Sequence, residues 1–492
     1  MNKFVTSRSF DWAVPLGFGT VLCLIAPLRT ALEFGGDEGY ELIKGFLVGL
    51  GHPLYREVWN DQPPLHTELM GLLFRLFGPS AYVGRLLSVG FAMLLVGSLY
   101  KIVSNQSCRV GGLLAVALLM SSSFFLQLSV SVMIELPAMA LALASVWAWS
   151  RYFAGKGRRC LIFSGVLFGC ALQVKLTAAI FVPAFLIEYV VSQIRRIRES
   201  DSLPGHSMWG QFTDALAWCG AVLATFGSIV LAFYTSSALP VFWSSHFSES
   251  TRTAVSADGI GFGAEFLLND LALLAPAVLG MAQIGRKRRW DLLFPAVLLI
   301  TALVIHSWHR PYWYYYGLHF AIPSAWLGAV GIVESFRALW RQDITVSLAA
   351  KLRVGTGWLG WSTLVSLVLT LAPEKVWNEV LRLSVASPAL EDRNVIWLTA
   401  HAAQTHWVFT DRVIYAFWAG LPVPPELAVI PSKRIWSGQI TEEKIVECLE
   451  RYQPEQILLQ SDWETKFGLS DYIQTHYQPD PANEVCQLYL RK

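Results

Sequence analysis

Apolar runs of about 20 residues recur along most of this chain, and they constrain its fold more than any other feature. Lipid offers no hydrogen-bond partners to bare N–H and C=O groups, so a run of that length crosses a bilayer as a helix. The sequence predicts eleven such spans, near residues 12–32, 86–103, 110–128, 131–150, 160–174, 176–194, 212–233, 265–283, 291–306, 313–334 and 354–372. Composition points the same way. Charged residues are 15% of the 492, against about 25% in soluble domains, and mean hydropathy is +0.44. A net charge of +2 leaves no nucleic-acid footprint. The seven cysteines contain no CxxC pair, so neither a disulfide framework nor a zinc module is expected. The run from Asp11 to Leu32 is too long for a signal peptide and lacks a small-residue cleavage site, so it is expected to stay as an anchor.

Lys and Arg concentrate in alternate loops: Lys3/Arg8, Arg151/Lys156/Arg158/Arg159, Arg195/Arg196/Arg198, Arg286/Lys287/Arg288/Arg289 and Arg337/Arg341/Lys351/Arg353. Such loops stay in the cytoplasm. With eleven spans they all fall there, the N-terminus included, and residues 373–492 fall outside. The expected location is a multi-pass protein of the cell (inner) membrane. Two segments of the outer loop 33–85 read as amphipathic helices lying in the interface, Asp37 to Leu50 and Pro63 to Gly78. Asp61 is the expected N-cap of the second, and Pro63–Pro64 fit its first turn. Beyond Pro373 hydropathy falls. Strands are expected at Trp407–Asp411, Ala428–Ile430, Gln456–Gln460 and Val485–Leu490, and helices at Thr441–Tyr452 and Asp462–Tyr477. The fold class is therefore a polytopic α-helical membrane domain, residues 1–373, with a small outer α/β domain, residues 374–492. Cys448 and Cys486 both lie in the latter, where a disulfide is chemically allowed.

Most carboxylates and imidazoles of the membrane part fall near one predicted face. Asp37 and Glu38 follow the first span, and Asp61 and His66 flank the Pro-Pro-Leu turn. Arg252 occupies the next large outer loop, and His309–Arg310 precede an aromatic run. Lys175 ends the fifth span, and Glu135 sits at the turn between spans three and four. Ionisable groups at a bilayer edge are costly and point to function. The bland readings are solvated loop carboxylates, a snorkelling Lys175 and an interfacial aromatic belt. Nucleotides are absent from the outer face, so chemistry there needs a substrate carried by the membrane. A sugar on a polyprenyl phosphate meets that demand. It asks for a carboxylate base, Asp37 or Glu38, and for cations on the phosphate, Lys175, Arg310 and Arg252. Asp37, Asp61 and His66 form a candidate set for a divalent metal, and no nucleotide cofactor is expected.

Three stretches resemble the first outer loop of the GT-C glycosyltransferases: Asp37-Glu38-Gly39-Tyr40, Gly51-His52-Pro53-Leu54-Tyr55 and Asn60-Asp61-Gln62-Pro63-Pro64-Leu65. The likeness is closest to the protein O-mannosyltransferase and aminoarabinose-transferase branch, the dolichyl-phosphate-mannose-protein mannosyltransferase family. His309-Arg310-Pro311-Tyr312-Trp313-Tyr314-Tyr315 resembles a late outer-loop motif of bacterial members. The resemblance extends over about residues 10–330. It implies Asp37 as catalytic base with Glu38 beside it. The expected substrate or phosphate contacts are Tyr55, Asp61, His66, Lys175, Arg252, His309 and Arg310. Gln62 stands where the aminoarabinose enzymes carry a phosphate-holding Lys.

The function expected is inverting transfer of a sugar from a polyprenyl-phosphate donor to an acceptor at the outer face. The acceptor is left open among protein, lipid and polysaccharide. A carrier or flippase for a lipid-linked saccharide and a non-catalytic membrane scaffold are the alternatives; nucleic acid is not an expected partner.

Overall fold

The computed structural model describes residues 8–200, 208–258, 261–340, 348–460, 464, 467–480 and 487–492. The chain opens with α1 (Arg8–Ile25), α2 (Glu38–Leu50), α3 (Leu65–Phe77), α4 (Ala81–Gln106), α5 (Arg109–Met120) and α6 (Phe125–Val130). It continues through α7 (Glu135–Arg151), α8 (Arg158–Val174), α9 (Val182–Ser200), α10 (Met208–Phe233), α11 (Ala238–Phe247), α12 (Glu249–Asp258) and α13 (Ala264–Leu268). The helical part closes with α14 (Leu271–Lys287), α15 (Leu293–Trp308), α16 (Gly317–Trp340) and α17 (Leu348–Ser384).

Among the described residues five helical stretches are long and apolar enough to cross a membrane: Ala81–Gln106, Leu176–Arg195, Phe212–Phe233, Trp290–Trp308 and Tyr314–Trp340. Asp11–Ile25 and Arg109–Met120 are shorter apolar helices. Helices α7, α8 and α14 have 17 residues each, the short end of what spans hydrocarbon. The run expected over 110–128 is broken. Helix α5 stops at Met120, and Phe124 takes a left-handed conformation before α6. The split expected at 174–176 is present, because Lys175 is extended between α8 and a 3-10 turn. Helix α17 runs through Pro373 to Ser384, past the expected end of the last span.

Glycines let these helices touch. A Cβ on Gly280 of α14 would sit 2.2 Å from the Leu327 carbonyl oxygen of α16, and one on Gly165 of α8 would sit 2.7 Å from the Trp218 carbonyl oxygen of α10. Small residues do this between apolar helices because close backbone packing replaces the missing hydrophobic drive.

After α17 come α18 (Arg393–Ala400), β1 (Val408–Thr410), α19 (Val413–Trp418), α20 (Ser432–Trp436), α21 (Glu442–Tyr452) and β2 (Gln456–Leu458). A helix at Ser470–His476 then leads into β3 (Tyr477–Pro479) and β4 (Leu488–Arg491). The sheet order is β1-β2-β4-β3; β1 pairs parallel with β2, and β4 runs antiparallel to both β2 and β3. Thr441 caps α21 as its sequence predicts, accepting from Lys444 N. Ala428–Ile430 is not a strand. Prolines 424, 425 and 431 bracket it, and the Glu426 and Val429 carbonyls accept from Arg434 Nη1 instead of a ladder. Of the helix expected over Asp462–Tyr477, Glu464 and Ser470–His476 are helical, with turns at 467–469; residues 461–463 and 465–466 lie outside the described set. Cys448 is a buried free thiol, and Cys486 lies outside the described residues.

The outer loop departs from expectation in an instructive way. Helix α3 keeps its apolar stripe outward, with Leu72, Leu76 and Phe77 exposed and His66 buried. Helix α2, expected on the interface too, is buried along almost its whole length. It is wedged between α3 and α19: Phe46 meets Phe417 edge-on, and Gly39 lies against Ile414. One apolar core joins Leu42, Leu47, Met70 and Phe74 of the loop to Val408, Ile414, Phe417 and Leu488 of the C-terminal segment.

Candidate functional site

The charged groups converge at one end of the helix bundle. Glu135 begins α7 and Lys175 follows α8, so the turn joining those helices, with Arg151, Lys156, Arg158 and Arg159, lies at the other end. Between the convergent helix ends and the C-terminal segment is a cavity of about 710 Å³. Asp37, Tyr40, Glu41 and Lys44 of α2 and its start line one wall, with Asp61 and Gln62 beside them. Glu135, Lys175, Trp313 and Tyr315 come from the bundle. Asp411, Arg412, Ser432, Lys433 and Gln460 come from the C-terminal segment.

Asp37 occupies the N-cap position of α2, yet its side chain makes no capping bond. Its carboxylate has neither hydrogen bond nor ion pair among the described residues, in contrast to its neighbours. Lys44 Nζ donates to Glu41 Oε1 at 2.8 Å and to Asn60 Oδ1 at 3.1 Å. Lys175 Nζ lies 2.7 Å from Glu135 Oε2 and 4.1 Å from the centre of the Tyr315 ring. Glu135 is held from behind: His319 Nε2 is 2.7 Å from its Oε1, Thr177 Oγ1 donates to the same oxygen at 2.9 Å, and His306 Nε2 lies 2.8 Å from His319 Nδ1. Burial pushes the Asp37 carboxyl above the usual carboxylate range, with Lys175 pulling the other way. Asp61 behaves oppositely. Burial alone would raise it, but Lys433, His246 and Lys44 hold it below that range.

ArnT from Cupriavidus metallidurans in the apo state is similar in structure, with a TM-score of 0.60 at 12% identity, over 99% of this chain and 98% of that one. The same protein bound to undecaprenyl phosphate gives 0.54 at 13% identity, over the same shares. The Archaeoglobus fulgidus oligosaccharyltransferase in the apo form gives 0.56 at 12% identity, over 96% of this chain and 71% of that one. No curated protein matches by sequence. Residues 61–204 match the model of the family described as dolichyl-phosphate-mannose-protein mannosyltransferase. The likeness to these solved structures shows a shared fold.

Within this fold the residues singled out by sequence separate into two groups. Asp37, Asp61 and Lys175 line the cavity together. The others do not. Glu38, expected as a second catalytic carboxylate, is fully buried. It accepts from Arg85 through both oxygens and from the backbone N–H of Phe34 and Val132. A carboxylate so saturated positions the chain and has no lone pair directed at a substrate. Tyr55 donates its hydroxyl to the Gln62 carbonyl at 2.6 Å and so staples the loop that carries Asp61. His66 is buried behind the wall, 3.9 Å from Glu41, with neither ring nitrogen hydrogen-bonded. Arg310 is exposed and borders Gly261, away from the cavity lining. His309 is exposed and does not line the cavity. Arg252 lies on α12, its side chain outside the described set. Nor is Asp61 the N-cap of α3; that position is Pro64, without a side-chain bond.

The candidate metal set does not assemble. Among the described residues no group of three or more His, Cys, Asp or Glu is placed to hold a cation. His66 is turned away, and lysine ammoniums share the cavity with Asp37 and Asp61. This donor set does not fit a divalent ion.

Sequence reasoning missed Lys44, Lys433, Arg412 and His319 as parts of the site; His306 reads in the sequence only as a group preceding the aromatic run. The aromatic run after Arg310, weighed as an interfacial belt, is largely interior: Tyr312, Tyr315 and Tyr316 are buried, and His306 stacks on Tyr316.

Burial lowers the His66 pKa to about 4. The unfolded imidazole, near 6.5, therefore takes a proton first as pH falls. Stability should be full above pH 6.5 and drop by about 3 kcal/mol between 6.5 and about 4. Denaturation in detergent across that window checks this, and His66→Leu should flatten the dependence.

Proposed function

We propose that this protein transfers a sugar from a polyprenyl phosphate to a hydroxyl acceptor, with inversion, at the outer face of the membrane. The observation that carries the reading is Asp37: a solvent-accessible carboxylate that lines one cavity with Lys175 and has no hydrogen bond or ion pair among the described residues. The loops rich in Lys and Arg lie at the opposite end of the bundle, which supports an outer location for the cavity. The similarity to ArnT, solved with undecaprenyl phosphate bound, supports the donor class.

In the proposed step Asp37 accepts the proton of the acceptor hydroxyl as its oxygen bonds to the anomeric carbon. The bond from that carbon to the phosphate oxygen breaks in the same displacement, and its electron pair leaves on the phosphate. Lys175 exchanges part of its contact with Glu135 for the charge developing there. Glu135 stays in place because His319 and Thr177 hold its other oxygen.

Purified protein given a radiolabelled polyprenyl-phosphate sugar should release label from the lipid to an acceptor extract. Label that crosses the bilayer still on its lipid would make the protein a carrier, and label that does neither would make it a scaffold. Lys175→Gln should lower kcat by about 10²-fold or more, as for loss of an oxyanion donor.

A further inference from the structure

The cavity is incomplete without the C-terminal segment, and the group that segment aims into it is an ammonium. Lys433 is the second residue of α20, a helix of five residues with little rigidity of its own. Its neighbours supply that rigidity. Arg434 is buried, donates to the carbonyls of Glu426 and Val429 at 2.6 and 2.9 Å, and packs over the Trp59 ring. Trp59 Nε1 donates to Gln439 Oε1 at 2.6 Å, and Gln439 Nε2 donates to the hydroxyls of Ser244 and Ser245 at 2.8 and 2.9 Å. Three remote stretches of chain are thus tied around the base of one lysine.

Its hydrogen bonds are not complete. An ammonium has three N–H donors. His246 Nδ1 lies 2.9 Å from the Phe242 carbonyl oxygen and donates to it, which leaves Nε2, 3.2 Å from Lys433 Nζ, to accept one. Asp61 Oδ2 is 3.6 Å away, beyond hydrogen-bond length. Two donors therefore face the cavity without an acceptor among the described residues. Lys44, by contrast, is bonded to two partners, and Lys175 to a carboxylate and a ring.

We propose that Lys433 is an anion-binding residue of this cavity, holding a phosphate oxygen of the substrate from the side opposite the bundle. The inference rests on the transfer reading above. It adds that the C-terminal segment is part of the site for the charged substrate group. A phosphate oxygen can come from the lipid headgroup or from a soluble phosphate, and both make the same charge-assisted contact.

The test uses the full-length protein in nanodiscs, with undecaprenyl phosphate and inorganic phosphate as separate probes. Lys433→Gln should weaken undecaprenyl phosphate binding about tenfold while Lys433→Arg stays within about threefold of wild type. Rescue by Arg excludes a folding defect, because a misfolded strap would lose both. A loss confined to inorganic phosphate supports the same site with a soluble source. Unchanged binding of both probes by Lys433→Gln overturns the inference. Wild-type protein that binds undecaprenyl phosphate no better than undecaprenol would overturn the donor reading itself, whatever Lys433 does.

Discussion

Asp37→Asn lowers sugar transfer by about 10²–10⁴-fold, the usual worth of a general base, while the protein folds and inserts as before. Both halves of that expectation follow from the same geometry. The carboxylate makes no hydrogen bond or ion pair among the described residues, so an amide of equal size leaves no partner stranded. Replacing a solvent-accessible side chain that has no partner to lose costs the fold little. The amide cannot take the acceptor proton, so the loss falls on kcat, with donor binding unchanged. The wild-type pH profile gives a second check. Asp37 must be ionised to act, and burial raises its pKa. Activity therefore declines with falling pH at a higher pH than an exposed carboxylate would give. Full transfer by the Asn variant would remove Asp37 as the base.

Arg85→Leu has the opposite profile: a large loss of stability, about 3–5 kcal/mol, with activity lost as a consequence. Arg85 is completely buried. It donates to both oxygens of Glu38 at 2.9 and 3.1 Å and to the carbonyls of Leu28, Ala31 and Leu32 at 3.0, 2.8 and 3.2 Å. The Phe34 ring covers it at 4.6 Å. Removing one member of such a pair leaves an uncompensated buried charge and unpaired carbonyls. The chain from α1 to α2 is fastened at this point, one residue from Asp37, so the base moves with it. Denaturation in detergent measures the loss. The double variant Arg85→Leu/Glu38→Leu should recover part of it, because no charge is then stranded. Equal stability of the single and double variants would show that the pair is not the fastening.

Adjacent carboxylates thus have unrelated surroundings, and nothing in the dipeptide Asp37-Glu38 tells them apart. Which one meets a cation depends on Arg85, 47 positions further along the chain. The charge pattern of α2 misled for a related reason. Glu38, Glu41 and Lys44 on one short helix read as a polar face toward water. They are buried because each has a partner, and because the opposite face meets α19 from a segment that begins more than 300 residues later. The apolar stripe of α3 was legible since its outward face meets no other part of the protein; only the lipid pattern had to be read.

The same division runs through the whole molecule. Hydropathy and the placement of Lys and Arg are summed over many residues and answer to the solvent, so helices near the expected spans and the end at which the basic turns gather could be read along the chain. The α/β character of the C-terminal segment and the cap at Thr441 are local as well. The cavity is not. Lys433 stands beside Asp61, and His319 behind Glu135, because helices pack and a strap closes over them. A hydrogen bond depends on distance in space, to which position along the chain is a poor guide.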